Sequence, residues 1–99
     1  MPGGWSPVPV SRKEIVSVAA FAVSAEQKTL SASQSGAPAK LELVQIRGAS
    51  QQVVAGMNYR LLLKVRLNGE EKNAEAVVWW QAWRKPDPYQ LTSWAWTKP

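Results

Sequence analysis

Cysteine and histidine are both absent from the 99 residues of this chain. Without cysteine the chain has no disulfide, no thiolate metal ligand and no thiol nucleophile, which agrees with a reducing compartment. Without histidine it lacks the commonest general base and the usual metal ligand. Its seven acidic residues are scattered, and only Glu70 and Glu71 are adjacent. We therefore expect no enzyme, no metal site and no cofactor.

Long apolar runs and blocks of like charge are also missing. No stretch approaches the roughly 20 apolar residues that a membrane-spanning helix needs, and no signal-peptide pattern opens the sequence. The net charge of +5 comes from 12 basic residues that form no run of five or six, which favours a solvated face over a nucleic-acid footprint. We expect a cytoplasmic chain without a membrane or nucleic-acid partner. Export after removal of a signal peptide is the alternative for its location.

Tryptophan, in contrast, is abundant. Six tryptophans occur in this short chain, and five of them lie in its last 21 residues. A core of this size cannot hold them all, so we expect some to contact a partner. The six are Trp5, Trp79, Trp80, Trp83, Trp94 and Trp96.

One helix is predicted over residues 11–30, after an extended segment at residues 1–10. Ser11 and Glu14 have the spacing of a capping box, with Val10 and Ile15 placed as a hydrophobic staple around it. Apolar residues then recur at a spacing of about 3.6 residues, which predicts one buried face. That face holds Ile15, Val18, Ala19, Ala22 and the acidic Glu26.

The best strand signal in the sequence runs from Met57 to Leu67. Its apolar residues occupy alternate positions, with Leu62 as the one exception, as expected of a strand with one buried face. Asn68-Gly69 directly after it predicts a two-residue hairpin turn. The chain should therefore fold back on itself here as an antiparallel pair.

Further strands are predicted on both sides of this hairpin. Residues 40–49 have a strand pattern, and a change of apolar phase after Leu43 indicates a bulge. A returning strand from about Lys72 and a last strand over residues 89–97 are separated by a loop with two prolines. One helix cannot bury its apolar face alone, so a sheet over residues 40–97 must wrap around it. We expect an α+β fold, one helix and a four- to five-stranded antiparallel sheet, in a single domain that takes in the whole chain.

The stretch Gln52–Gly56 stands between two of the predicted strands. It combines two valines with Ala55-Gly56 and lacks the Asn-Gly or Asp-Gly pair of a solvated hairpin turn. One interpretation is that Val53 and Val54 continue a strand into the core. The other is a tight turn over residues 52–56 whose exposed valines form a wedge for the groove of a partner. Periodicity alone leaves both open.

This stretch also resembles a known motif. The sequence QVVAG at residues 52–56 is similar to the QxVxG loop of the cystatins, a family that inhibits papain-like cysteine proteases. Residues 18–23 are similar to the LARFAV helix signature of the plant cystatins, and Gly3-Gly4 looks like the N-terminal glycine of the family. The element order is similar as well, and the lack of disulfides resembles stefins and plant cystatins more than the secreted animal cystatins.

The second loop resembles the family with two departures. Trp83 stands where cystatins have the tryptophan of a Pro-Trp pair, but Ala82 replaces the proline. The loop over residues 84–88 also looks long for the family. These departures bear on the pose of the second loop and not on the fold.

The resemblance implies a cystatin fold with a protease-binding edge made of three segments. Together the N-terminal segment, the first loop and the second loop would plug the active-site cleft of papain or a cathepsin, reversibly and competitively. Phe21, Trp79 and Trp80 are assigned to packing or to the outer face of the sheet. The residues implied to contact the protease are Gly3, Gly4, Trp5, Gln52, Val53, Val54, Ala55, Gly56, Ala82 and Trp83.

Two other functions stay open on the sequence. The same fold could bind single-stranded nucleic acid through a basic, tryptophan-rich sheet, or it could be an engineered or diverged scaffold whose loops bind another protein. We expect a monomer. A tight turn of β-branched valines should hold strain, so straightening of residues 52–56 is predicted to permit a domain-swapped dimer that lacks the wedge.

Overall fold

The described part of the chain forms one helix and five strands. It comprises residues 4–33, 40–85 and 87–97 of a computed structural model. The elements in order are β1 (Ser6–Pro7), α1 (Lys13–Ser33), β2 (Leu41–Val54), β3 (Gly56–Leu67), β4 (Glu70–Trp80) and β5 (Tyr89–Thr97).

All five strands belong to one antiparallel sheet in the order β1-β2-β3-β4-β5. Each strand therefore pairs with its neighbour in sequence, and the predicted α+β class is confirmed. The short β1 accounts for the difference between the four and five strands expected. No helix among the described residues is long and apolar enough to cross a membrane.

The core lies between the helix and one face of the sheet. On α1 the residues Ile15, Val18, Ala19 and Ala22 are fully buried, as the helical spacing predicted. The half-buried Glu26 lies beside them, and burial raises the pKa of its carboxyl group. Small residues also line the facing strands, which lets helix and sheet approach closely. The buried sheet residues include Leu61, Leu63, Val65, Ala74, Ala76 and Val78.

The ends of the helix differ from the prediction. The first helical bond runs from the Val16 N–H to the carbonyl of Arg12, so the helix begins at Lys13 rather than at residue 11. No capping-box bond of Ser11 occurs among the hydrogen bonds of the described residues. Glu14 is engaged elsewhere, since it accepts a hydrogen bond from the Tyr59 hydroxyl at 3.1 Å and pairs with Arg12. The helix also continues to Ser33 instead of fading at residue 30, because serine costs a helix only a few tenths of a kcal/mol.

The strand β2 is longer and more irregular than predicted. Its register against β3 shifts twice, once between Leu43 and Gln45 and again between Ile46 and Gly48. The first shift confirms the bulge expected from the change of apolar phase, and the second was not foreseen. Bulges increase the twist and bend of a strand, which suits a sheet that wraps around a helix.

The hairpin between β3 and β4 follows its sequence signal. Asn68 and Gly69 both have positive φ, at 51° and 88°, as a type I′ turn requires. The returning strand β4 begins at Glu70, two residues before the expected start at Lys72. The last strand has the predicted bounds.

Candidate functional site

The first loop, residues 52–56, is much tighter than the sequence predicted. Residues 41–54 and 56–67 pair as strands up to the last pair, Val54 with Gly56, so Ala55 alone stands between them. The predicted turn over residues 52–56 is therefore wrong in extent, because the valines keep the extended conformation they prefer. They do not enter the core, since Val53 is 66% exposed and Val54 is 38% exposed. The first interpretation is thus right that the strand continues and wrong that it enters the core. The exposed valines are called the wedge below, and their contact with a partner stays a prediction.

Glycine is required at the end of this wedge. Gly56 has a φ of +87°, a left-handed conformation that other residues rarely adopt. A Cβ built on it would overlap the carbonyl oxygen of Trp80 and lie 3.2 Å from the indole nitrogen of Trp79. The positive φ is therefore carried by the one residue for which it costs least, and the valines carry no such strain.

The second loop is a turn that follows β4. The N–H of Arg84 donates to the carbonyl of Gln81 at 3.0 Å, which closes a turn with Ala82 and Trp83 at its centre. Both central residues are exposed, and Trp83 is 60% exposed. Ala82 occupies the position of a turn where proline is favoured. The turn therefore forms here without the proline that the resemblance to the cystatins implies at this position.

Hydrogen bonds to the last strand hold the base of the second loop. The N–H of Gln81 donates to the carbonyl of Pro88 at 2.7 Å, and its side chain donates to Gln90 at 3.2 Å. Arg84 donates to the same Gln90 oxygen at 3.1 Å, and Asp87 accepts from the N–H of Tyr89. Gln81 is buried although it is polar, and these bonds satisfy it.

The two loops lie side by side at one end of the sheet. The register pairs Met57 with Trp80, so β4 leaves the sheet beside the start of β3. Trp79 joins the loops: its indole N–H donates to the carbonyl of Ala55 at 2.7 Å. Its ring also meets that of Trp83 edge-on, with centroids 6.2 Å apart.

The N-terminal segment runs toward the same end. In β1, Ser6 pairs with Gln51 in antiparallel register, so Gly4 and Trp5 lie toward the tip of the β2–β3 hairpin. The guanidinium of Arg60 lies 4.7 Å from the centre of the Trp5 ring, which holds that side chain on the outer face of the sheet. Gly4 is exposed. Gly3 lies outside the described residues.

Below the wedge, on the inner face of the hairpin, the Tyr59 hydroxyl donates to Glu14, which also pairs with Arg12. Burial and the hydrogen bond to Glu14 raise the pKa of Tyr59 to about 12. On the outer face the side chain of Asn58 donates to that of Gln52 at 3.1 Å, which links the two strands near their end. No group of three or more acidic residues that could hold a metal ion occurs within residues 4–33, 40–85 and 87–97.

Trp79 was assigned only to packing or to the outer face of the sheet, and its link between the loops was missed. The period of β4 does place it on the face opposite Trp80. What brings its ring under Ala55 is the cross-strand register with β3, in which Trp79 pairs with Asn58. A pairing register is not readable from one strand alone.

This chain is similar to a protein-family model and to several named proteins. Residues 8–96 match the SQAPI family model, described as aspartic acid proteinase inhibitor. The chain is 37% identical over 82 residues to cysteine proteinase inhibitor 1 of Actinidia chinensis var. chinensis, and 42% identical over 71 residues to cysteine proteinase inhibitor 7 of Arabidopsis thaliana. These matches cover 82% and 72% of this chain. The chain spans 65% of the length of the first relative and 28% of the second.

A third relative and two solved structures extend the likeness. Cystatin-1 of the tick Ornithodoros moubata is 32% identical over 102 residues, which cover 83% of this chain and 74% of the relative. The crystal structure of a salivary cystatin from the same tick has a TM-score of 0.67 at 20% identity, over 99% of this chain and all of the other. The crystal structure of Al-CPI has a TM-score of 0.70 at 20% identity, over 96% and 100% of the two chains. The chain belongs to the cystatin family.

Proposed function

We propose that this chain is a reversible, competitive inhibitor of papain-like cysteine proteases, with papain and the cathepsins as partners. The observation that carries the proposal is that the valine wedge and Trp83 stand exposed beside each other at one end of the sheet. Exposed apolar and aromatic side chains that fit a cleft lose water on binding and dominate the affinity of an interface. Three relatives carry the names of cysteine proteinase inhibitors or of a cystatin, which supports the same class of target.

The mechanism follows from the rigidity of the wedge. Paired strands run to the last residue on either side of Ala55, so little conformational freedom is left to lose on binding. A protease cleaves an extended segment laid along its cleft, and a one-residue turn held by strands on both sides cannot supply one. The wedge therefore blocks the cleft without being cut, and dissociation restores the enzyme.

Each of the three segments has a part in this contact. Val53 and Val54 supply apolar area, and Gly56 lets the backbone of the tip pack against Trp80. Trp83, with Ala82 beside it, supplies a second patch. Gly4 and Trp5 extend the contact on the other side of the tip, where Arg60 holds the arm.

The test is to titrate the protein into papain and two cathepsins and follow turnover of a small fluorogenic substrate, with trypsin as the control enzyme. We expect inhibition of the three papain-like enzymes and none of trypsin. Complete inactivity against all three at micromolar inhibitor would reject the proposal.

A matched pair of variants locates the contact surface. Val53→Asp places a charge on the wedge, and Leu62→Asp places the same charge on another exposed strand residue away from it. We expect Val53→Asp to weaken inhibition by about 30-fold or more, as for a contact worth at least 2 kcal/mol. Leu62→Asp should leave inhibition within about twofold. Equal losses in both would show that the wedge is not the contact surface.

A second candidate function is inhibition of aspartic proteases. It is favoured by the description of the family model that matches residues 8–96. The same titration with pepsin at acidic pH tests it. An aspartate side chain is largely protonated at that pH, so Val53→Lys replaces Val53→Asp in this comparison. Inhibition of pepsin that survives Val53→Lys would assign it to a surface other than the wedge, whereas loss of inhibition of both pepsin and papain would assign both activities to the same end of the sheet.

The nucleic-acid alternative gains no support from the outer face of the sheet. Lys64 and Arg66 pair with Glu71 there, and Arg66 lies 3.9 Å from Glu42, so the basic side chains are partly neutralised. A steep fall of single-strand affinity with salt would restore this alternative. A cytoplasmic location and a monomeric state stay part of the proposal, and fractionation and size-exclusion chromatography test them.

A further inference from the structure

We propose that Trp79 is a positioning residue that locks the two contact loops into one arrangement before any protease binds. Its contribution to inhibition rests on the proposed function. Its effect on the order of the loops does not, because that effect can be measured on the free protein.

The first support is the hydrogen bond to the tip. Ala55 is the one residue between β2 and β3, so its carbonyl lies at the point where the pairing of the two strands ends. The indole N–H of Trp79 donates to that carbonyl at 2.7 Å, short for an N–H···O bond. The indole nitrogen also stands where a Cβ of Gly56 would come within 3.2 Å. Trp79 therefore packs against the tip of the β2–β3 hairpin from the outer face of the sheet.

The second support is the ring contact with the other loop. Trp79 and Trp83 meet edge-on, at an interplanar angle of 76° and a centroid distance of 6.2 Å. This geometry is favourable for aromatic pairs. Trp83 is largely exposed, so the contact restrains a side chain that would otherwise be free to change rotamer in water.

Tryptophan is the side chain suited to this double role. It combines a ring large enough to reach from β4 to the second loop with an N–H donor on the edge that faces the tip. Phenylalanine would keep an aromatic ring and lose the donor. Because its ring is also smaller, this substitution removes the hydrogen bond to Ala55 and weakens the contact with Trp83.

Ordering the loops in advance lowers the entropy lost on binding. Losing that order should appear mainly as faster dissociation, as is usual for changes at one interface. The test compares Trp79→Phe with Trp96→Phe, which makes the same chemical change at an exposed tryptophan of β5, paired with Ala74 away from the two loops. We expect Trp79→Phe to dissociate from papain about two- to tenfold faster, the equivalent of one hydrogen bond. Trp96→Phe should not change the rate.

A second measurement on the free protein separates positioning from general stability. Amide hydrogen exchange at Gly56 and Met57, and the NMR signal of the Trp83 indole, report the order of the two loops. We expect faster exchange and a shifted, broadened indole signal in Trp79→Phe at a melting temperature equal to that of Trp96→Phe. A merely structural role would lower the melting temperature and leave the local exchange unchanged.

The two measurements distinguish failure of the proposal about Trp79 from failure of the proposed function. Unchanged exchange and an unchanged indole signal would overturn the proposal whatever the inhibition assay shows. Loosened loops with an unchanged dissociation rate would overturn the link from order to binding. If the wild-type protein inhibits no protease, the proposed function fails, and the exchange measurement alone decides whether Trp79 locks the loops.

Discussion

The strand β3 ends in two tight turns that look alike and are built differently. Gly56 at one end and Gly69 at the other both have positive φ, at 87° and 88°. A Cβ at Gly69 would meet nothing within 4 Å, whereas a Cβ at Gly56 would overlap the backbone of Trp80. The turn at Gly69 therefore needs glycine only for its dihedral angle. The turn at Gly56 needs it also because another strand presses against it.

This difference distinguishes a turn that only connects two strands from a turn that we propose to contact the protease. The turn at Asn68-Gly69 is a standard two-residue hairpin open to solvent, and its neighbours are exposed ion pairs such as Lys64 with Glu71. The turn at Ala55 is contacted by the Trp79 indole and by the backbone of Trp80, and the strand that leads into it carries two exposed valines. Packing fixes the shape of the wedge, and exposure leaves its surface free for a partner.

The largest effect should come from exchanging these two glycines for alanine. Gly69→Ala introduces only the cost of a left-handed conformation, about 1–2 kcal/mol of stability. Gly56→Ala adds an overlap with backbone that cannot move without shifting β4, so we expect a larger loss of stability and about 100-fold weaker inhibition of papain. Thermal unfolding and inhibition constants of both variants measure this. Equal inhibition by the two variants would show that the two turns do not differ in function.

A domain-swapped dimer would abolish the turn at Ala55 and keep the turn at Asn68-Gly69. Straightening at Ala55 would join β2 and β3 into one strand, so the dimer should retain its helix and sheet content and lose inhibition. The strain predicted for the valines is not where it was expected, because they lie in regular strand and Gly56 carries the positive φ. Val54→Asn therefore has no strain to relieve at this position, and we expect it to change the rate of dimer formation little.

Heating at high protein concentration, followed by size-exclusion chromatography and a papain assay on each peak, tests both statements. A heat-induced dimer that inhibits papain fully would mean that the wedge survives and that the exchange occurs elsewhere.

Trp83 and Ala22 distinguish the contact surface from the core. Trp83→Ala removes an exposed ring, so we expect inhibition to weaken by about 30-fold with little change in melting temperature. Ala22→Leu places a larger side chain in the fully buried seam between helix and sheet, which should cost about 1–3 kcal/mol of stability. Equal losses of melting temperature in the two variants would make Trp83 a structural residue.

Features of the fold that depend on residues close together in sequence were predicted correctly. Features that depend on contacts between residues far apart in sequence were missed. The period of β3 and the Asn68-Gly69 pair are local signals, and the structure confirms both. Glu14 did not cap the helix, because a hydroxyl 45 residues away in sequence takes its carboxylate.

The candidate site likewise has parts that a short motif indicates and parts that depend on how the strands pair. The resemblance to the cystatins pointed to Gln52–Gly56 and Trp83 as contact residues, which stays a prediction. The one-residue turn and the link through Trp79 depend on how three strands align, and a sequence read strand by strand does not contain that register.

The N-terminal arm offers a smaller test of which end of the sheet is functional. Removing residues 1–4 should speed dissociation from papain by less than Trp83→Ala does, since one flanking segment is lost and the wedge is kept. Trp5→Ala should give part of the same effect, because it removes the stacking on Arg60 that directs the arm. Dissociation rates from surface-bound papain measure both. An unchanged rate after truncation would show that the arm makes no contact.

The smallest expected effect concerns a third turn, the one that carries Trp83. Ala82 occupies the position after Gln81 in a turn closed by the Arg84 N–H, and proline is favoured there because its ring fixes the required φ. Ala82→Pro should therefore stabilise the protein by about 0.4–1 kcal/mol, through a less flexible unfolded chain, and tighten papain binding slightly. The same change at Ala76, in the middle of β4, is the control and should destabilise, because β4 has a strand on each side and proline there removes a bond to β3 or β5. If Ala82→Pro destabilises the protein and weakens inhibition, the second loop does not hold the turn geometry from which Trp83 is presented.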